Sequence, residues 1–420
     1  MVIFTNYNLH NIRSTGHSRM NIAEITTPES QKFIATHLSD SIHDLLLQAG
    51  KYKEFDVPLL TRQIESKNKA KNKLPLWFNT PGIVYPEKLS MEQCSSEITA
   101  LYKAEILDGS FKRLIDLTGG LGVDSYFFSK KFEEVIYVEK NESLNELASY
   151  NFSVLKADNI QSVSTEAEEF VSSYKKKADF IFIDPARRKE GSKVFRFSDC
   201  EPNVTEMLQD LFEISEKIMI KASPLVDIDH AIRELKWVEK IFVVAVENEC
   251  KELLFLLNKN IGDADIPLEI TAANISQKGS KIEFKFIREE ELKASAEISL
   301  PLVYIYEPNA SIMKAGAFRS VGEKFLLKKL HPNSHLYTSE QLVKDFPGRI
   351  FKLESTLKYS KKEILNDLPN GKANITVRNF PDTVEAIRKK TGIKDGGEIY
   401  LFATTDKNGK HVILKTNKIL

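Results

Sequence analysis

Cysteine is scarce in this chain of 420 residues: there are three (Cys94, Cys200, Cys250), odd in number and far apart. A disulfide scaffold is thereby excluded, and reduced thiols of the cytosol are expected. Long apolar runs are missing as well. The longest resemble Ile241–Val246, far short of the roughly 18 to 20 residues that a membrane span needs. The opening, MVIFTNYNLHNIRSTGHSR, has no basic stretch followed by an apolar core, so no signal peptide is expected. Net charge is zero, 59 basic residues against 59 acidic. What remains is an ordinary globular composition, 42% apolar and 28% charged, which excludes a disordered or collagenous chain. A cytoplasmic protein of about three domains, with no membrane partner, is expected.

The zero balance conceals a division. From Phe346 to Leu420 there are 15 Lys and Arg against 8 Asp and Glu, a balance of +7. From Glu105 to Ile275 the count is 21 against 32, a balance of −11. A polyanion would meet the basic tail first, although ordinary variation between two domain surfaces gives the same asymmetry.

Residues 1–90 read as a helical N-terminal domain. SQKFIATHLSDSIHDLLLQAG places apolar residues three and four apart, and Gly50 then stops the pattern. The segment SKNKAKNKLPLWFNTPGIVYP, with Lys67, Lys69, Lys71 and Lys73, predicts an exposed connection carrying a solvated lysine run. Over 91–275 the pattern alternates. RLIDLT, EVIYVEK, ADFIFIDP and KIMIKAS read as strands separated by helical stretches, which implies right-handed crossovers and a parallel sheet. KIFVVAV and KELLFLLN are joined by too few residues for a crossover helix, so those two strands must be antiparallel. Residues 276–345 hold short strands and a helix-like stretch, NASIMKAGAFRSVGEKFLLKKL. Residues 346–420 alternate strand and helix before two closing strands, a small α+β unit. The fold class expected is α/β with a Rossmann-like sheet.

The sharpest local signal is LIDLTGGLGVD: a strand ending at Asp116, then Thr118, Gly119, Gly120 and Gly122, then a helix beginning near Asp124. Glycines there let a ligand approach the backbone at the carboxyl end of a strand. The second strand ends at Glu139, whose carboxylate can accept hydrogen bonds from both ribose hydroxyls. A turn that merely packs helix on strand would look similar. A dinucleotide fingerprint needs a third glycine where Ser125 stands, and Asp124 would repel a pyrophosphate. The acidic pair Asp116 and Asp124 suits a cationic, phosphate-free nucleoside, and S-adenosylmethionine is such a ligand.

DLTGGLGVD resembles motif I of class I S-adenosylmethionine-dependent methyltransferases, and Glu139 is similar to their motif II acid. The antiparallel hairpin is similar to that of their seven-stranded sheet. More closely, EQCSSEITALYKA, DPARR, KASPLVDI, ENECKELLF and EPNASIMKAG resemble an uncharacterised bacterial methyltransferase family with a ferredoxin-like segment and a C-terminal THUMP-like domain. That resemblance implies a ferredoxin-like 276–345 and a THUMP-like 346–420 that would recognise structured RNA, a tRNA or rRNA. It also puts Asp184, Pro185, Arg187 and Arg188 opposite the transferable methyl group. Enzymes that methylate exocyclic amines carry a second proline and an aromatic where Ala186 and Arg187 stand, so the usual route to base N-methylation is not implied. Uracil C5 methyltransferases need a cysteine after the next strand, where this chain has Lys221, Ala222, Ser223 and Pro224. Direct displacement is the chemistry left, with Asp184 orienting or deprotonating the acceptor. Arg187 and Arg188 would grip a phosphate or carboxylate, or pair within the acidic body.

Glu166 would contact the adenine amine or lie at the surface. Ser95, Ser96, Glu97 and Tyr102 would border the cofactor or cap and pack a helix. Glu307, Asn309 and Lys314 stand at a strand–helix turn, as capping or site residues. His331 and His335 are four apart, but Pro332 spoils the helix that would align them, and no metal site is expected. Two other readings stay open: methyl transfer to a protein or anionic small molecule, and a non-catalytic cofactor-binding module.

Overall fold

A computed structural model describes residues 21–109, 111–187, 196–261, 266–368 and 370–419. They fall into two compact units. One runs to Asp108 and includes Gly119–Glu166; the other comprises Gly109–Thr118 and Ala167–Leu420.

The lysine-rich segment is helical instead of an exposed connection. The helix Val57–Lys73 begins at Asp56, which accepts the Leu59 amide at 2.9 Å, with Pro58 in the first turn, where a missing N–H costs little. Leu60, Gln63, Ser66 and Ala70 succeed one another at spacings of three and four and are all buried. That stripe outweighs the lysines between them. Lys73 turns back to donate to the Met91 and Glu92 carbonyls at 2.8 and 2.7 Å. Further on, Ile83, Val84, Tyr85 and Pro86 are buried, and the backbone there is satisfied by side-chain amides. Gln63 exchanges two bonds with the Tyr85 backbone (2.8 and 2.9 Å), and Asn151 two with that of Val84 (2.8 and 3.0 Å).

Among the described residues, nine strands make the large sheet: β1 Phe111–Asp116, β2 Phe132–Val138, β3 Ile160–Val163, β4 Phe180–Ile183, β5 Lys217–Ala222, β6 Val238–Val246, β7 Glu249–Asn258, β8 Glu269–Ile275 and β9 Lys281–Ile287. Their order is β9-β8-β6-β7-β5-β4-β1-β2-β3. β1, β4 and β5 run parallel, and β4 (FIFI) is buried throughout, as a parallel strand covered on both faces must be. β7 is antiparallel to both β5 and β6. The β6–β7 connection is Glu247–Asn248, both at positive φ (49° and 63°), the twist that a two-residue hairpin requires. The antiparallel pair expected from the short gap is present.

The sheet is longer than the seven strands expected. β8 pairs parallel with β6, and β9 pairs antiparallel with β8. The stretch 281–287 therefore belongs to the large sheet, not to a unit beginning at 276. A tight turn closes this hairpin, with Ser276 N donating to Ser280 O at 2.9 Å.

Seven further strands among the described residues form a second sheet: β10 Tyr304–Pro308, β11 Lys328–Lys329, β12 Tyr337–Ser339, β13 Gly348–Lys358, β14 Asn374–Arg378, β15 Ile399–Thr405 and β16 His411–Lys418. The order is β11-β12-β10-β13-β16-β15-β14. Because β10 pairs with β13, residues 304–347 and 348–418 share one continuous sheet. Alternation splits its side chains between two cores. Leu401, Ala403 and Ile413 join Ile364 and Ile387 of the helices Lys361–Asn366 and Val384–Thr391, while Phe402 and Leu414 join Ile305, Leu330 and Leu336. The helix expected over 309–330 is two short ones, Ala310–Ala315 and Ser320–Lys324, broken at Gly316 with φ 78°.

Asn151→Ala would strand the amide and carbonyl of Val84 in the core, costing about 1–3 kcal/mol for each unsatisfied group. In a Trp237→Phe background, where buried Trp77 alone reports, the urea midpoint falls; an unchanged midpoint contradicts this role.

Candidate functional site

At the carboxyl ends of β1, β4 and β5, in the second unit, four side chains are linked in series. Asp116 is buried at 1% exposure, and its Oδ1 accepts the Thr118 amide at 3.1 Å, so the carboxylate shapes the start of the turn. Thr118 Oγ1 in turn accepts the Asp184 amide at 2.6 Å, fixing the residue that leaves β4. The Asp184 carboxylate pairs closely with Lys221 Nζ at the end of β5. Lys221 is mostly buried and Asp184 about a third exposed, so the pair has one sheltered and one open side. This is the edge where open α/β sheets bind ligands. Pro185 is buried, and Ala186–Arg187 forms a short antiparallel ribbon with Cys200–Glu201. Arg188 lies outside the described residues, and Arg187 is described in its backbone alone.

The chain continues through the Thr118–Gly119 peptide into the first unit, where the glycines meet their constraints. Gly119 N donates to Val138 O at 2.9 Å, and a Cβ on Gly119 would lie 2.1 Å from the Tyr137 ring. No side chain fits there. Gly120 has its N–H on Glu139 Oε2 at 2.9 Å, and its carbonyl accepts the Tyr137 hydroxyl at 2.6 Å. Gly122 has φ 79°, and a Cβ there would meet Phe152 at 2.4 Å. Glu139 Oε1 accepts the Asn141 amide at 2.8 Å. Each carboxylate oxygen offers two lone-pair directions, so Glu139 keeps acceptor capacity beyond these two bonds.

Asp124 has a partner that the sequence argument did not supply. It is buried in the first turn of the helix Val123–Phe128, with Ser95 Oγ donating to Oδ2 at 2.7 Å and Lys103 Nζ 3.2 Å from Oδ1. Lys103 has no exposure at all. The Asp124 charge is therefore matched by Lys103, contrary to the expectation that Asp116 and Asp124 together face a ligand's cation. Ser96 caps the helix Glu97–Glu105, and Glu97 Oε2 accepts the Leu76 amide at 2.7 Å. Burial raises the Glu97 carboxyl above its ordinary value. Tyr102 is buried. Glu166 is exposed and lies 3.8 Å from Lys140.

Elsewhere, Asn309 caps the helix Ala310–Ala315, Glu307 is buried between Arg349 and Arg378, and Lys314 Nζ donates to Val226 O at 2.7 Å. His331 Nδ1 accepts the Asn333 amide at 3.1 Å. Burial pushes the Cys250 thiol up to about 11, which leaves it protonated and a poor nucleophile. Lys221 and Lys103 are the site residues that sequence reasoning missed. Each lies far in sequence from its acid; the only available signal for Lys221 was a lysine closing the apolar strand KIMIKA.

Residues 304–347 match a ferredoxin-like domain family, and residues 348–418 a THUMP domain-like family. A presumed methyltransferase of Porphyromonas gingivalis W83, known from its crystal structure, is 32% identical with a TM-score of 0.81, covering 93% of this chain and 97% of that one. An uncharacterised S-adenosylmethionine-dependent methyltransferase of Mycobacterium tuberculosis is 22% identical over 217 residues, 51% of this chain and 56% of that protein. A tRNA/tmRNA (uracil-C(5))-methyltransferase of Shewanella woodyi is 26% identical over 147 residues, 29% of this chain and 40% of that protein. The match thus spans about half the length of these curated relatives or less. No helix among the described residues is long and apolar enough to cross a membrane.

Lys103→Met would leave Asp124 buried without its cation, a loss of about 3–5 kcal/mol. The double change Lys103→Met with Asp124→Asn removes both charges and recovers part of that loss. Urea unfolding of the three proteins measures it; equal midpoints for single and double variants contradict the ion pair.

Proposed function

The chain belongs to the family of class I S-adenosylmethionine-dependent methyltransferases that carry a ferredoxin-like and a THUMP-like domain, and from that premise we propose that it methylates structured RNA, a tRNA or rRNA, by direct transfer. The observation that carries the RNA reading is the THUMP-like match over 348–418, which falls on the segment with a balance of +7. Basic residues there suit backbone phosphates. The name of the Shewanella relative, a tRNA/tmRNA enzyme, points the same way.

The residues present fit the cofactor. Glu139 retains acceptor capacity for a ribose diol, and the turn from Thr118 to Gly122 leaves the backbone close to any ligand above it. Glu139 would take the ribose hydroxyls, Asp116 the amino group, and Gly119, Gly120 and Gly122 would let the nucleoside approach, with Glu166 toward the adenine. Asp124, paired to Lys103, would act by fixing the helix start. S-adenosylmethionine, when bound, supplies an electrophilic methyl group.

On the acceptor side, Asp184 is the group placed to orient the nucleophile or take its proton at a carboxylate oxygen. Its backbone is fixed by Thr118 and its charge by Lys221. Pro185, Arg187 and Arg188 would complete that wall, the arginines holding a phosphate of the substrate. Ala222, Ser223 and Pro224 follow Lys221 where a cysteine would be needed, which supports direct transfer over a covalent uracil adduct, as does the protonated state of Cys250. The family chemistry and the reduced state expected of three distant cysteines support a cytoplasmic site of action.

With labelled S-adenosylmethionine, the purified protein should label deproteinised RNA from a strain lacking it. Absence of label in RNA, with label in protein or small-molecule fractions, would overturn the substrate. Asp184→Asn should lower kcat by about 10²–10⁴-fold while cofactor affinity is kept; unchanged turnover would remove Asp184 from the acceptor side.

A further inference from the structure

Away from the strand-end cluster, the second unit holds a cavity of about 510 Å³, within the range of about 300–1,000 Å³ typical of ligand sites. It opens among the start of the helix Ile228–Leu235, the stretch 288–292, the turn 314–319 and the stretch 329–335.

The carboxylates that line it are already engaged. Asp229 takes Arg288 Nη2 on both oxygens at 2.7 and 2.8 Å, and Asp227 accepts the His230 amide at 2.7 Å. Glu291, 5% exposed, accepts the amides of Phe318, Arg319 and Ser320 at 3.0, 2.8 and 2.7 Å.

The cations are not matched in this way. Lys314, Arg319 and Lys329 each donate to one backbone carbonyl, of Val226, Leu292 and Pro332, at 2.7, 2.9 and 2.7 Å. None of the three has an ion-pair partner among the described residues. Lys329 is 4% exposed, and among the described residues its three ammonium donors find only the Pro332 carbonyl as a hydrogen-bond acceptor. Taking such a charge from water is costly unless it meets an anion. Burial accordingly lowers Lys329 to about 8, Glu291 opposing and Arg319 adding to the shift. His335 is lowered to about 4 by burial and then by Lys329 and Arg378, so it is neutral at physiological pH. Its ring stacks on Phe318 with centroids 3.7 Å apart and planes 22° apart, and its buried Nδ1 has no hydrogen-bond partner among the described residues.

We propose that this cavity binds the phosphate of a nucleotide, its oxygens held by Lys314, Arg319 and Lys329 beside the Phe318–His335 aromatic wall. Arg319 presents a planar fork that suits two phosphate oxygens, and the lysines add point charges. The nucleotide is either free in solution or one unit of an RNA chain; the chemistry is the same. The site stands whether or not the methyl-transfer reading holds.

The test titrates AMP, adenosine and a short RNA against the full chain and against Arg319→Gln and Lys314→Gln. Arg319 is exposed, and its amide bond to Glu291 survives the change, so a thermal melt like that of the native protein is expected. AMP should bind, adenosine should not, and each variant should weaken AMP about tenfold, as loss of a charge-assisted bond does. If AMP is silent but the same variants weaken RNA about tenfold, the phosphate belongs to the polymer. Adenosine binding as tightly as AMP, or neither AMP nor RNA responding to either variant, would overturn the site.

Discussion

The ring of Tyr137 leaves no space beside the turn that follows β1, and the geometry of the candidate site depends on that. With 2.1 Å between the ring and a hypothetical Cβ, position 119 accepts glycine alone. Once the turn lies against the ring, the Tyr137 hydroxyl takes the Gly120 carbonyl and Glu139 takes its amide. Both polar groups of one glycine are thus fixed from the end of β2. The helix Val123–Phe128 then starts in a defined place, and Asp124 in its first turn meets Lys103 and Ser95. Packing sets the backbone, and buried charge fixes its register.

A second constraint acts through Thr118, the residue just before the glycines. Its hydroxyl receives the Asp184 amide, so one short side chain relates the end of β1 to the end of β4. Lys221 brings in β5. Three parallel strands thereby deliver one carboxylate, held by one ammonium, to the edge of the sheet where α/β proteins bind their ligands. The direct transfer proposed above asks mainly for alignment and a correctly charged acceptor, and Asp184 would serve the second.

Local pattern explains what the sequence made legible. The glycine turn, Glu139, the antiparallel hairpin at Glu247–Asn248 and the alternating strands of 348–418 all follow from spacing within a few residues. The lysine run is helical because the stripe of Leu60, Gln63, Ser66 and Ala70 is buried, and the charges that alternate with it mask that stripe in the sequence. Which sheet a strand joins is non-local: KIEFKFI reads alike in either sheet, and only its pairing with β8 places it in the large one. Lys103 with Asp124, and Lys221 with Asp184, are 21 and 37 positions apart, and no local signal connects them. The cavity among residues 227–335 was invisible for the same reason, since its cations come from separate turns.

The glycine turn and Glu139 are proposed as the seat of an adenosyl cofactor. Calorimetric titration of S-adenosylhomocysteine into the native protein and into Glu139→Gln tests it most directly, since glutamine keeps an oxygen for the Gly120 amide but loses the charge and part of the acceptor capacity. Saturable binding to the native protein is expected, weakened about tenfold in the variant, and none of NADH. Absence of binding to folded native protein, or equal affinity in Glu139→Gln, would contradict it.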